Sequence, residues 1–273
     1  MESVMHLTLV LVLIRVILNC AETLFCSREY APAGLFAWPA RQLRYRWTAA
    51  GPLSGVLNAG LQHPRYLFLV MLQLGCALAL LLPMTQAVAM PLLVVVVAVE
   101  LLSPIRNGAF GMEGSDQMLL VLLVAVTLSQ ATADPLARAA VVWFIALQAL
   151  LAYFTSGVVK LQTRPWREGT AIRLVLNTQS YGSPILAGWL EKAPGLSKLM
   201  CWGVILFECG FPFIILAGPQ TTLALLLCGA FFHLMIAATM GLNGFFWSFV
   251  ATYPAIFRLS QDVHHLIYLH RIG

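Results

Sequence analysis

The stretch YFTSGVVKLQTRPWREG, Tyr153 to Gly169, places Lys160 near the end of a long apolar run. At 3.6 residues per turn, Tyr153, Gly157 and Lys160 share one helical face. Gly157 carries no side chain one turn before Lys160, so a second helix or a ligand can come close to the amine. A lysine taken out of water loses part of its preference for the ammonium form and can serve as a base. The competing role is an anchor. A lysine at a helix C-terminus is favoured by the helix dipole, and its stem lets the charge reach the headgroups. On spacing alone the anchor is the simpler reading.

Four further ionisable residues fall inside apolar runs: Arg15, Glu22, Glu100 and Glu208. Charges in a bilayer are costly, so each is a functional suspect or a packing partner for another span. Arg15 and Glu22 lie seven residues apart on one helical face, about 10 Å from each other. Glu208 stands four residues before Pro212, which should leave the Glu208 carbonyl unpaired and kink the helix there. An acid beside a kink can line a cavity; it can equally be a hydrogen-bonded neutral acid. His233, in FFHLMIAATM, is either a histidine bonded to backbone or a proton carrier in a cavity. His264, His265 and His270 cannot share one helical face, and no metal site is expected. GPLSGVLNAG lacks the Lys-Ser/Thr of a phosphate-binding loop, and its glycines read as turn markers. Neither GxSxG nor HExxH occurs.

The elements that must position these residues are membrane helices. The chain has 273 residues, of which 60% are hydrophobic and 10% charged. Soluble domains carry about 25% charged residues. Several runs approach the roughly 18 residues that cross a bilayer as a helix. The expected fold is an all-α integral membrane protein, with about eight transmembrane helices in one bundle forming a single domain over residues 1–273. The spans fall near 4–25, 66–84, 87–104, 117–133, 137–159, 197–217, 221–239 and 242–257. The first is read as a retained helix, since MES carries no basic residue and no cleavage site follows. Two long interfacial loops, about 26–65 and 160–196, collect most of the arginines. In the first, Trp38, Tyr45 and Trp47 alternate with arginine as headgroup-level segments do. In the second, Ser183 is placed to cap a short helix that starts at Pro184.

The net charge of +5 is spread over separate loops, which argues for orientation and lipid contact rather than nucleic acid. Four spans separate the two arginine-rich loops, which puts both on the cytoplasmic side. The six cysteines are expected to be reduced; Cys201 and Cys209, about 12 Å apart on one helix, are too distant to bridge. No internal repeat is visible, which weakens a transporter reading.

With these residues in view, the stretch YFTSGVVKLQTRPWREGTAI resembles the central motif of the vitamin K-dependent γ-carboxylase superfamily, which includes the bacterial HTTM (horizontally transferred transmembrane) domains. The matching positions are Tyr153, Ser156-Gly157, Lys160-Leu161, Trp166 and Glu168-Gly169. GMEGSDQMLLVLLV around Asp116, FECGFPFIIL around Glu208 and the late span with His233 agree more loosely. The resemblance implies that Lys160 is the base that deprotonates reduced vitamin K or another quinone. It implies O2 and CO2 as co-reactants in carboxylating a peptide or small substrate. His233 would join Lys160 as catalytic, with Tyr153, Gly157, Trp166, Glu208 and Asp116 near the quinone. The expected setting is a bacterial inner membrane, with lipid as the surrounding partner and a peptide as a possible substrate.

The carboxylases of the superfamily carry a further lumenal region that helps to bind the peptide, and a chain ending at Gly273 is expected to lack it. Their motif faces the lumen, whereas the arginine distribution here points to the cytoplasm. The alternative expectation is a non-catalytic, SdpB-like factor in maturing or exporting a secreted peptide; a solute transporter is the weaker one.

Overall fold

The computed structural model describes residues 1–43, 52, 54–107 and 114–272, with side chains up to residue 267. Arg44, Tyr45, Arg46 and Trp47 of the first loop, the start of GMEGSDQ and the His270 side chain lie outside the described residues. Every regular element among the described residues is a helix. The chain divides into two compact units, one of Leu9–Pro135 and one of Met1–Thr8 with Leu136–Gly273.

Helix α1 runs from Glu2 to Phe25 and continues from the second unit into the first. The unit of residues 9–135 goes on with α2 (Trp38–Gln42), α3 (Ser54–Leu61), α4 (Arg65–Ala79), α5 (Gln86–Asn107) and α6 (Gly114–Ala131). Helix α5 packs on both α4 and α6. Its Arg106, fully buried, fastens the first loop to the helix. Arg106 Nη1 donates to the Phe36 carbonyl at 2.5 Å, and the guanidinium lies 4.9 Å from the Tyr30 ring and 5.1 Å from the Tyr66 ring. Burial pushes the Tyr30 phenol upward from its ordinary pKa. The glycines of GPLSGVLNAG that can be placed do not mark turns: Gly55 and Gly60 lie inside α3.

The other unit holds α7 (Pro135–Gln162), α8 (Arg164–Glu168), α9 (Ala171–Leu176), α10 (Pro184–Lys192) and α11 (Pro194–Gly210). A 3-10 segment, Phe211–Leu216, extends α11; α12 (Pro219–Met240), α13 (Asn243–Val250) and α14 (Tyr253–Ile272) follow. The change from α to 3-10 at Phe211 is what Pro212 demands, since its ring excludes the ordinary i to i−4 bond. Ser183 sits at the N-cap of α10 in an extended conformation, but its side chain makes no capping bond. Ile185 and Trp189 of α10 are exposed, while Ala187 and Leu190 pack against Leu176. All six cysteines are free.

Among the described residues, 6 helices are long and apolar enough to cross a membrane: Glu2–Phe25, Gln86–Asn107, Gly114–Ala131, Pro135–Gln162, Pro194–Leu216 and Pro219–Met240. The chain is therefore an all-α membrane protein, but the count of eight is not reached by length and composition. The expected second span is α4, with 15 residues. It rises about 22 Å against a hydrocarbon core of about 30 Å. The expected eighth span breaks at Ala251–Thr252 into α13 and α14. Pro254 has no N–H to donate to the carbonyl of Val250, four residues earlier, and α13 ends at that residue. Counting only the six puts three crossings between the arginine-rich loops, not four, and the even count that placed them on one side is lost.

Candidate functional site

Gly157 sets the approach of α7 to α11. A β-carbon there would lie 2.7 Å from the Cys209 backbone nitrogen and 3.0 Å from the Glu208 carbonyl carbon. The two backbones therefore touch one turn from Lys160. The contact brings the Glu208 carboxylate to the amine. Lys160 Nζ donates to Glu208 Oε1 at 2.8 Å and Oε2 at 2.6 Å, and to Ser156 Oγ at 2.5 Å. The side chains are 19% and 7% exposed, so the pair is largely withdrawn from solvent. It is neither a snorkelling lysine nor an isolated base.

Trp166 closes one side, its ring 5.2 Å from Lys160 Nζ. The rest of the motif explains how Trp166 gets there. Gly169 ends α8 in the left-handed region, φ +84, and packs so closely on Lys198 that no β-carbon would fit. Ser197 Oγ donates to the Gly169 carbonyl at 2.5 Å, and Trp202 Nε1 donates to the Arg167 carbonyl at 3.1 Å. Helix α8 is thereby folded onto α11. Glu168 takes no part in the cluster; it pairs with Arg164 at 2.6 Å, one turn away.

A second polar centre lies two turns earlier on the same face of α7, about 10 Å along the helix axis. Tyr153 Oη is 2.7 Å from His233 Nε2 and 3.0 Å from Tyr253 Oη. Gly229, one turn before His233, admits the Tyr253 hydroxyl, which would lie 2.5 Å from any β-carbon there. Aromatic rings surround the centre. Phe211 lies 4.0 Å from Tyr153 between centroids, and Phe249 stacks on His233 at 4.6 Å. His233 Nδ1 is sealed from solvent and has no hydrogen-bond partner among the described residues. The chain of two phenols and an imidazole can pass a proton without moving a heavy atom, because each hydroxyl can both donate and accept.

Of the residues singled out in the sequence, Lys160, Gly157, Glu208 and Trp166 meet in one cluster, and Tyr153 and His233 meet in the second. Asp116 belongs to the unit of residues 9–135, where it pairs with Arg15 at 3.0 Å. Tyr253 and Gly229 were not foreseen. The signals for them are present: Gly229 stands four before His233, so the two share a face, and Tyr253-Pro254 marks a helix start rather than mid-span.

These features define an all-α integral membrane protein with two ion pairs, Arg15–Asp116 and Lys160–Glu208, drawn between its helices. The sequence model of the HTTM domain matches residues 123–260, just over half of the chain, and the chain belongs to that family. The matched range contains Lys160, Glu208, His233 and Tyr253. No curated protein and no solved structure matches the chain.

Proposed function

We propose that this HTTM protein is a membrane-embedded enzyme of the carboxylase-like class, with Lys160 as the base toward a lipophilic reduced quinone. The observation that carries the reading is the largely buried lysine held by both oxygens of Glu208 and by Ser156. The second centre supports it with a further proton acceptor: His233 Nδ1 has no partner among the described residues and stands among Phe207, Phe211, Phe245 and Phe249. A reduced quinone, when bound, supplies an acidic hydroxyl and two reducing electrons. O2 and CO2 are its co-reactants, and a peptide or a small molecule is the acceptor. The setting is a bacterial inner membrane.

The protein's own part is proton handling. The pair holds one proton between Lys160 Nζ and the Glu208 carboxyl. Moving it to the carboxyl frees the nitrogen lone pair. Nζ then accepts a proton from the bound hydroxyl, and the pair becomes cationic beside the group it has deprotonated. Ser156 fixes the rotamer of the amine, and Trp166 shields it from water. His233 and Tyr153 hold or pass a second proton through Oη and Nε2. Lys160→Ala should abolish reduced-quinone-dependent oxygen uptake in proteoliposomes by the folded protein. Normal uptake by that variant would sink the mechanism.

The ion pair also favours a second reading, the non-catalytic SdpB-like factor, in which it serves as a staple between α7 and α11. The exchange Lys160→Glu with Glu208→Lys separates the two. A staple tolerates the exchange and keeps its biological output. A base moved to α11 does not.

A further inference from the structure

The corner between α7 and α11 carries charge that the Lys160 pair does not use. The chain leaves one candidate span at Gln162 and enters the next at Pro194, so α8, α9 and α10 lie at one membrane face. Helix α10 packs Ala187 and Leu190 against Leu176 of α9. On its opposite side Ile185, Trp189 and Lys192 follow at i, i+4 and i+7 and share one face. Ile185 is 71% exposed and Trp189 67% exposed, and Lys192 is exposed as well. The order along that face is aliphatic, aromatic, cationic. That is the order in which an interfacial helix meets acyl chains, the headgroup boundary and phosphate.

Between Thr163 and Lys198 the chain holds Arg164, Arg167, Arg173, Lys192 and Lys198 against Glu168 and Glu191. Both acids are taken: Glu168 pairs with Arg164 at 2.6 Å and Glu191 with Arg173 at 3.5 Å. Arg167, Lys192 and Lys198 are exposed and have no acidic partner among the described residues. The backbone brings them to one corner. Lys198 lies against Gly169, two residues after Arg167, and Trp202 Nε1 donates to the Arg167 carbonyl. Lys192 stands two residues before Pro194, which opens α11. Cations that flank the start of a helix sit at the wrong end of its dipole, and an anion held between them removes that cost. We propose that this corner binds the phosphate of an anionic phospholipid, with Arg167, Lys192 and Lys198 at the headgroup and Ile185 and Trp189 against its acyl and glycerol region. Three surplus cations fit an anionic headgroup rather than a zwitterionic one, whose amine they would repel. The aliphatic and aromatic side chains beside them fit a lipid rather than free phosphate. This binding does not rest on Lys160 acting as a base.

Brominated phospholipids test this on the purified full chain in mixed micelles at low ionic strength. Brominated phosphatidylglycerol and brominated phosphatidylcholine are titrated separately. The part of the tryptophan quenching that is lost in Trp189→Phe reports this face. Phosphatidylglycerol is expected to quench that part at a concentration at least about fivefold lower, since each basic residue near an anionic surface contributes a gain of about that size. Lys192→Gln narrows the difference, and Arg167→Gln combined with Lys192→Gln and Lys198→Gln removes it. Salt at about 1 M, where the screening length falls to about 3 Å, removes it as well. Equal quenching of the wild type by the two lipids, or a difference that survives the triple substitution, overturns the proposal. If the triple variant does not fold, a difference unaltered by Lys192→Gln and by salt overturns it equally. Quenching by neither lipid also overturns it and assigns the face to a protein partner.

Discussion

Lys160 with Glu208 and Arg15 with Asp116 are both cation–carboxylate pairs drawn between membrane helices, one in each compact unit. They differ in two ways. Lysine can give up its proton and arginine cannot, so only the first pair can act as a base through its cation. Glu208 holds its cation with both oxygens and is 7% exposed, whereas Asp116 is 29% exposed. A labile cation on a buried carboxylate suits proton abstraction. A fixed cation on a more open carboxylate suits holding two helices together. Two ion pairs between membrane helices therefore need not do the same chemistry.

The largest expected effect is at Arg15. Arg15→Leu removes the cation of the Arg15–Asp116 pair, and breaking a buried pair in this way costs about 3–5 kcal/mol. Lys160→Met leaves a single acid, which can take up a proton, and costs about 1–3 kcal/mol. Equilibrium unfolding in mixed micelles, followed by circular dichroism, measures both. Equal losses would mean that the fixed cation is no costlier to remove than the labile one, and the distinction between the two pairs would fall.

The next effect separates how the pairs are built. Lys160 meets Glu208 because Gly157 lets two backbones touch, while Arg15 reaches Asp116 with a long side chain. Gly157→Ala puts a β-carbon 2.7 Å from the Cys209 backbone nitrogen, which cannot move as a side-chain tip would. Overpacking of this kind costs about 1–3 kcal/mol. The displacement should also part Lys160 from Glu208 and lower turnover. Gly75→Ala in α4 has nothing within 4 Å and serves as the control, where helix propensity should add up to about 1 kcal/mol of stability. If Gly157→Ala unfolds at the wild-type denaturant concentration, the close helix contact does not set the pair.

Much of this was legible in the sequence, one residue at a time. Apolar runs announced the long helices, and Pro212 announced a kink where α11 passes into the 3-10 segment. Lys160, Glu208 and Arg15 each stood out because charges inside a bilayer are rare. Their pairing was not legible. Lys160 and Glu208 are 48 residues apart, and what joins them is the missing side chain of Gly157. Asp116 was placed near the quinone through the resemblance; the structure pairs it with Arg15, to which the sequence had assigned no acid. The eighth span was drawn through Thr252 because hydropathy averages over a break that a single Tyr-Pro step makes. Tyr253 was lost inside that average, and with it the phenol that completes the chain to His233.

The smallest expected effect tests where the Lys160 site ends. Glu168 belongs to the motif that resembles that of the carboxylase-like proteins, yet its side chain is half exposed and, among the described residues, bonds one turn back to Arg164. Exposed pairs at that spacing contribute little to stability and are screened by salt. Its neighbour Gly169 differs, because a left-handed backbone against Lys198 admits no other side chain. Glu168→Gln should therefore leave both the thermal midpoint and the turnover at wild-type values, while Gly169→Ala loosens α8 and draws Trp166 away from the amine. A loss of turnover in Glu168→Gln as deep as that in Lys160→Ala would mean that the carboxylate acts on substrate from outside the ion pair. The site would then extend along α8, and the pairing of Lys160 with Glu208 would no longer describe the whole of it.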